Sequence, residues 1–149
     1  MNIKEIKENK KDFLDILLIG DEDEKMVDKY LECGNLYALY ENNELMSVSV
    51  VLEIGSTTVE IKNLATYPKY QNKGYASKLI DFIQNKYKED FKYLILGTGE
   101  NKATLDFYKK RGFVEFKRIK NFFIDNYQKP IFENNIQLVD MIYLRKRLR

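Results

Sequence analysis

The twenty residues from Thr58 to Ser77, TVEIKNLATYPKYQNKGYAS, constrain this chain more than any other stretch. Val59, Ile61 and Leu64 predict a strand, Pro68 ends it, and Gly74 falls where a short polar loop must turn into a helix. A helix begun in this way leaves backbone N–H groups between Asn72 and Ser77 without intrahelical partners, at an end that carries partial positive charge. Such an end is a ready site for phosphate, although by composition alone it also fits an ordinary strand-to-helix connection. Gly74 lets a ligand come close to the backbone, and Ala76 adds little bulk beside it.

The rest of the chain supplies strands and helices around that turn. Met1 to Lys7 reads as a short strand, and Phe13, Leu14, Leu17 and Leu18 recur at helical spacing up to Gly20. Asp21 to Glu24 forms the acidic first turn of a second helix, which Met26 or Val27, Tyr30 and Leu31 face inward and Gly34 stops. Leu36–Tyr40 and Leu45–Ile54 are joined as a hairpin by Glu41-Asn42-Asn43-Glu44. In the second of these, Met46, Val48, Val50 and Leu52 alternate with Ser47 and Ser49, which predicts one buried face and one polar face. Beyond the loop, Ala76, Leu79, Ile80, Ile83 and Tyr87 form the apolar stripe of a helix of about 14 residues. Tyr93 to Leu96 is a short apolar run, expected as a covered strand parallel to Thr58–Thr66. Asn101 caps a further helix that Gly112 ends. Phe113–Ile124 and Gln137–Leu144 are expected as the last two strands, and Arg145 to Arg149 as a solvated basic tail.

Composition excludes several chemistries. There is no histidine, so Ser-His and Cys-His nucleophilic machinery and the usual zinc ligand sets are absent, and a general base must be a carboxylate, tyrosine, lysine or water. A net charge of +2 gives no reason to expect nucleic acid or an acidic membrane as partner. No apolar run approaches the ~20 residues needed to span a bilayer. The single Cys33 forms no internal disulfide, fits a reducing, cytoplasmic setting, and is expected as a small buried apolar residue. Neither a Walker loop nor a dinucleotide-binding glycine triplet is present. At 149 residues the chain is expected to form one domain, residues 1–149.

Gln71-Asn72-Lys73-Gly74-Tyr75-Ala76 resembles the Q/R-x-x-G-x-G/A signature of the GNAT superfamily of acyl-CoA-dependent N-acyltransferases, and Asn63-Leu64-Ala65-Thr66-Tyr67-Pro68 resembles its N-L-A-V-x-P strand end. Thr66 replaces the usual Val and Ala76 the usual second Gly. A second motif, Asn101, six residues, Tyr108, then Gly112-Phe113, is similar to the family's N-x6-Y-x3-G-F. The resemblance implies a mixed α/β fold with a mostly antiparallel sheet of six to seven strands flanked by about four helices.

It further implies acetyl-CoA as acyl donor, no metal, and a primary amine of a small molecule or peptide as acceptor, attacked directly in a ternary complex. The backbone of Leu64, Ala65 and Thr66 would pair with the pantetheine arm as an added strand. Residues Gln71, Asn72, Lys73, Gly74, Tyr75, Ala76 and Ser77 would hold the pyrophosphate, and Asn101 would contact the CoA backbone. Tyr108 would protonate the leaving thiolate. Glu60, eleven residues before Gln71, stands where GNAT histone acetyltransferases place a catalytic glutamate, on a strand face expected to include Lys62, Leu64 and Thr66. Leu96 stands where bacterial protein N-terminal acetyltransferases carry a carboxylate, which weakens a ribosomal-protein assignment. Phe122, Phe123, Tyr127 and Glu133 are candidates for the acceptor pocket. The other reading is a non-catalytic acyl-CoA-binding or regulatory module, and a homodimer is compatible with either.

Overall fold

The computed structural model describes residues 1–149. In chain order the elements are β1 (Asn2–Ile6), α1 (Leu14–Gly20), α2 (Glu24–Asp28), β2 (Asn35–Glu41), β3 (Glu44–Ile54), β4 (Thr58–Thr66) and α3 (Tyr75–Tyr87). They continue with β5 (Tyr93–Gly99), α4 (Lys102–Lys109), β6 (Val114–Ile119), α5 (Phe122–Asn126), β7 (Phe132–Glu133), β8 (Ile136–Gln137) and β9 (Met141–Arg147). Seven strands form one sheet in the order β1-β2-β3-β4-β5-β9-β6, and β7-β8 is a separate small hairpin. Only β4 and β5 pair in parallel. This is the mixed, mostly antiparallel architecture expected. The β2–β3 turn works because Asn42 and Asn43 take left-handed φ values of 54° and 63°, which match the twist of a two-residue hairpin.

Helices cover both faces of the sheet. Leu79, Ile80 and Ile83 of α3 pack on Tyr37, Leu39, Val51, Val59, Ile61 and Leu94. On the other face, Ile16, Leu17, Val27 and Leu31 pack on Leu36, Val48, Val50 and Ala65. Each fully buried aliphatic side chain contributes roughly 1.5–3 kcal/mol, so these two layers dominate the stability. The polar face expected for β3 is therefore not solvated. Ser47 and Ser49 are buried beneath α3, and their hydroxyls donate to the carbonyls of Ala65 at 2.7 Å and Asn63 at 2.8 Å. Small hydroxyls that satisfy themselves on a neighbouring strand look, in sequence, like an exposed face.

Two irregularities in β4 shape the site. Val50 faces Asn63 while Val51 faces Ile61, so Lys62 is an extra residue, a β-bulge. The bulge reverses the alternation of the strand. Glu60 and Lys62 thus face the α1–α2 side, near Tyr30 and Leu52, whereas Leu64 and Thr66 face the α3 side against the main core and Ser47. The four do not share a face, contrary to simple alternation. Further, the parallel pairing of β4 with β5 ends at Ile61–Leu96, although β4 runs on to Thr66 and β5 to Gly99. The strands splay apart there. The edge of Lys62–Thr66 toward β5 is left without a strand partner.

Several expectations near the ends need correction. The strand after Gly112 stops at Ile119, and Asn121 (φ 59°) turns the chain into α5, so Phe122 to Ile124 are helical. Gln137 belongs to the β7–β8 hairpin, and the last strand is Met141–Arg147. Its basic residues are not a tail, because Arg145 to Arg147 pair with β5 and the Arg145 guanidinium lies over the rings of Phe116 at 5.1 Å and Tyr93 at 5.5 Å. The second helix ends at Asp28 rather than Gly34. Lys10, buried, donates to the carbonyls of Leu31 (3.1 Å), Glu32 (3.1 Å) and Gly34 (2.7 Å) and so closes the turn that follows. Cys33 is exposed on that turn, not buried. No helix is long and apolar enough to cross a membrane.

Candidate active site

The loop after β4 becomes α3 at Gly74, whose φ of 88° is left-handed. The first bond of the helix runs from Lys78 N–H to the Gly74 carbonyl at 3.1 Å, and Gly74 has no side chain to cap it. The amides of Tyr75, Ala76 and Ser77 are thus left over by helix geometry. They border a cavity of about 450 Å³ lined by Thr66, Gln71, Asn72, Gly74, Ala76 and Arg111, among others. A Cβ at Gly74 would meet nothing within 4 Å, so the backbone there faces open space. Gln71 donates to the Thr66 carbonyl at 3.1 Å and ties the loop to the strand end. Lys73 is exposed, its ammonium 5.9 Å from the centroid of Tyr70, and Tyr75 hydrogen-bonds Glu41.

Arg111 is the charged side chain that lines this cavity. Its Nε donates to Ser77 Oγ at 2.9 Å, one terminal nitrogen donates to the Phe107 carbonyl at 2.8 Å, and the guanidinium lies 3.8 Å from the centroid of Phe107. The positive end of α3 and this guanidinium converge on one space suited to an anion.

A second cavity, about 500 Å³, opens on the other side of the split between β4 and β5. Lys62 and Gly97 to Gly99 floor it, the end of α1 with Asp21 and Glu22 forms one wall, and Phe123, Tyr127, Phe132 and Glu133 form the other. Gly99 is needed because a Cβ there would lie 2.5 Å from Leu138 Cδ1, so the returning chain packs directly on β5. Asp21 holds the walls together. It accepts from Tyr127 at 2.9 Å and from Tyr30 at 3.2 Å, and Tyr30 in turn accepts from Asn63 Nδ2 at 3.0 Å. Burial raises the Asp21 carboxyl above its ordinary range despite these donors.

Glu60 is buried at the edge of a smaller cavity of about 170 Å³. Its Oε2 is 3.1 Å from Lys62 Nζ and 3.5 Å from the Tyr143 hydroxyl. Burial and the Glu60 charge push the Tyr143 hydroxyl up to about 12. Asn101 caps α4 by accepting from Ala103 N–H at 3.0 Å, while its Nδ2 is 3.4 Å from Glu133 Oε1. Tyr108 packs edge-on to Phe107 and Phe113. Its hydroxyl is pushed up to about 12 by burial and then by the Glu133 charge, with Arg111 opposing. It is protonated at neutral pH.

A family model for the acetyltransferase (GNAT) domain matches residues 32–115, more than half of the chain. The chain belongs to the GNAT acetyltransferase family. It is 36% identical over 139 residues, 92% of this chain and 90% of the relative, to the uncharacterized N-acetyltransferase YvbK of Bacillus subtilis (strain 168). It is similar to a crystal structure of a GNAT family acetyltransferase from Elizabethkingia anophelis with acetyl-CoA bound (TM-score 0.93, 36% identity, covering 98% of this chain and 97% of that one). A Bacillus subtilis acetyltransferase in complex with CoA is likewise similar (TM-score 0.89, 35% identity, 99% of both chains).

Within this GNAT chain most of the expected site residues fall into three groups, whereas Lys73 and Tyr108 line none of the three cavities. Thr66, Gln71, Asn72, Gly74, Tyr75, Ala76 and Ser77 line the first cavity together. Leu64 and Ala65 lie on the length of β4 that pairs with β3 but not with β5. Glu133, Phe123 and Tyr127 line the second cavity, Phe122 lines the small one with Glu60, and Glu133 also touches Asn101. Two functional candidates were missed. Arg111 occupies an unspecified position of the second motif, so only its packing on Phe107 marks it. Asp21 read as a helix-end charge, and its cross-chain partner Tyr127 lies 106 residues away.

Proposed function

We propose that this GNAT chain transfers an acetyl group from acetyl-CoA to a primary amine by direct attack in a ternary complex. The observation that carries the reading is the split between β4 and β5, which joins an anion-suited cavity at one end to an acidic and apolar cavity at the other. The open edge from Thr66 to Lys62 spans about 13 Å at the rise of a strand. An extended arm carrying amide groups can add to that edge as another strand, with its phosphates against the α3 amides and Arg111. Its acyl end then reaches the second cavity. The residues present fit acetyl-CoA, since Gly74 leaves the backbone open and Arg111 supplies a fixed cation.

Tyr108 is the proposed acid. A phenol still protonated at neutral pH gives its proton to the sulfur as the carbon–sulfur bond breaks. A backbone N–H of the open edge polarises the thioester carbonyl. Glu60 is the carboxylate the sequence puts forward as base, but its charge is committed to Lys62 at 3.1 Å, and an arriving ammonium has to share it.

The test is release of free thiol from acetyl-CoA by the purified protein across a panel of primary amines. Amine-dependent release, with the acetylated amine detected by mass, supports the reading. Tight acetyl-CoA binding with no amine ever acetylated would turn the chain into a binding module.

A further inference from the structure

We propose that Glu133, on the hairpin β7–β8, is the catalytic base, and that the cavity it lines receives the acceptor as a protonated amine on an apolar body. This rests on the acetyl-transfer reading above and names a residue and a substrate class within the same site.

Glu133 is the carboxylate that borders the acceptor cavity and also reaches Asn101, the first residue of the second motif. It is 3.4 Å from Asn101 Nδ2, and its charge acts on the Tyr108 hydroxyl. Glu60, by comparison, faces the smaller cavity and is held by Lys62 and Tyr143. The hairpin is built to present Glu133. Asn134 and Asn135 take left-handed φ values of 51° and 63°, and the resulting tight turn fixes Glu133 opposite Ile136.

The surroundings favour a cation. Asp21 and Glu22 face the same cavity from the end of α1, and the one cation on its floor, Lys62, is paired with Glu60. Ile131, Phe132 and Phe123 offer apolar wall for the rest of the molecule. Burial lifts the Glu133 carboxyl above its ordinary range, with Glu22 adding to the effect and the Asn101 hydrogen bond opposing it. Such a carboxylate takes a proton more readily than an exposed one, and a cation placed beside it is attracted rather than screened.

The ammonium gives one proton to the Glu133 carboxylate, which passes it to solvent. The neutral nitrogen forms the N–C bond, the C–S bond breaks, and the sulfur takes the Tyr108 proton. The second nitrogen proton then restores Tyr108.

The experiment compares wild type with E133Q and E60Q, using acetyl-CoA and alkylamines of ordinary basicity. Gln keeps the oxygen that accepts from Asn101, so the hairpin is retained. The expected result is a fall in kcat/KM of at least about 100-fold for E133Q, with acetyl-CoA affinity by calorimetry within about twofold of wild type. The acid limb of the wild-type pH profile lies above the ordinary glutamate range, because the rate is lost as pH falls through the raised value. That limb disappears in E133Q and persists in E60Q. An amine of low basicity, such as trifluoroethylamine, needs little base, so its loss in E133Q is far smaller. If wild type acetylates amines and E133Q matches it, or E60Q alone abolishes the limb, the assignment to Glu133 is wrong while acetyl transfer stands. If wild type prefers anionic amino acids to simple cationic amines, the substrate class is wrong. If wild type acetylates nothing, the underlying reading fails instead.

Discussion

Gly74 and Gly55 make a matched pair that isolates the proposed phosphate cradle. Both are left-handed, with φ of 88° and 70°, and at both a Cβ would find nothing within 4 Å. Replacing either by Ala therefore adds backbone strain and no clash. Placing an L-residue in the left-handed region costs roughly 1–2 kcal/mol. For a chain of this length that lowers the melting temperature by about 2–8 °C. Gly55 sits in the β3–β4 turn, remote from the cavity beneath α3, while Gly74 sits at its rim. The new methyl at Gly74 would occupy the space through which, on this proposal, an anion reaches the α3 amides. Gly74→Ala is thus expected to weaken CoA binding by at least about tenfold, or ~1.4 kcal/mol, beyond anything seen for Gly55→Ala. Thermal melts and calorimetric titration with CoA, run on both variants, read the two quantities separately. Equal loss of stability with CoA affinity unchanged in Gly74→Ala would refute the idea that these amides converge on the phosphates.

Tyr108→Phe is expected to lower kcat by about 100-fold or more with acetyl-CoA affinity within about twofold, since only the proton is removed; steady-state kinetics with calorimetry checks it, and an unchanged kcat removes Tyr108 from the mechanism. Lys10→Met removes the donor shared by three carbonyls, and urea denaturation should show a loss of about 1–3 kcal/mol with the acetyl-CoA site intact; a loss below about 0.5 kcal/mol would mean that water replaces the ammonium at no cost.

Much of the fold was legible because its signals are local. The helix stripe of Leu79, Ile80 and Ile83, the Asn-Asn hairpin and the Asn101 cap each follow from neighbours within a few residues. The cavity at the start of α3, where we propose that the phosphates bind, was legible for the same reason, because a strand end, a loop and a helix start form one continuous stretch. What escaped depends on distant partners. The buried state of Ser47 and Ser49 depends on α3 lying over β3, and the facing of Glu60 depends on a bulge at Lys62 that only pairing with β3 reveals. Phe122 to Ile124 carry strand-like apolar character, yet the left-handed Asn121 and packing of Phe123 behind the second cavity make them a helical turn. Arg111 and the Asp21–Tyr127 bond are likewise contacts between elements, with no signature in either element alone.

In the proposed complex an extended ligand arm joins β4 along its open edge and ends against the α3 amides. Hydrogen–deuterium exchange with and without CoA tests this directly, residue by residue. The expected result is slowed exchange confined to two stretches, the amides of Leu64–Thr66 and those of Asn72–Ser77, with the outer strands β1 and β6 unchanged. Bound CoA that leaves both stretches exchanging as in the free protein would contradict it.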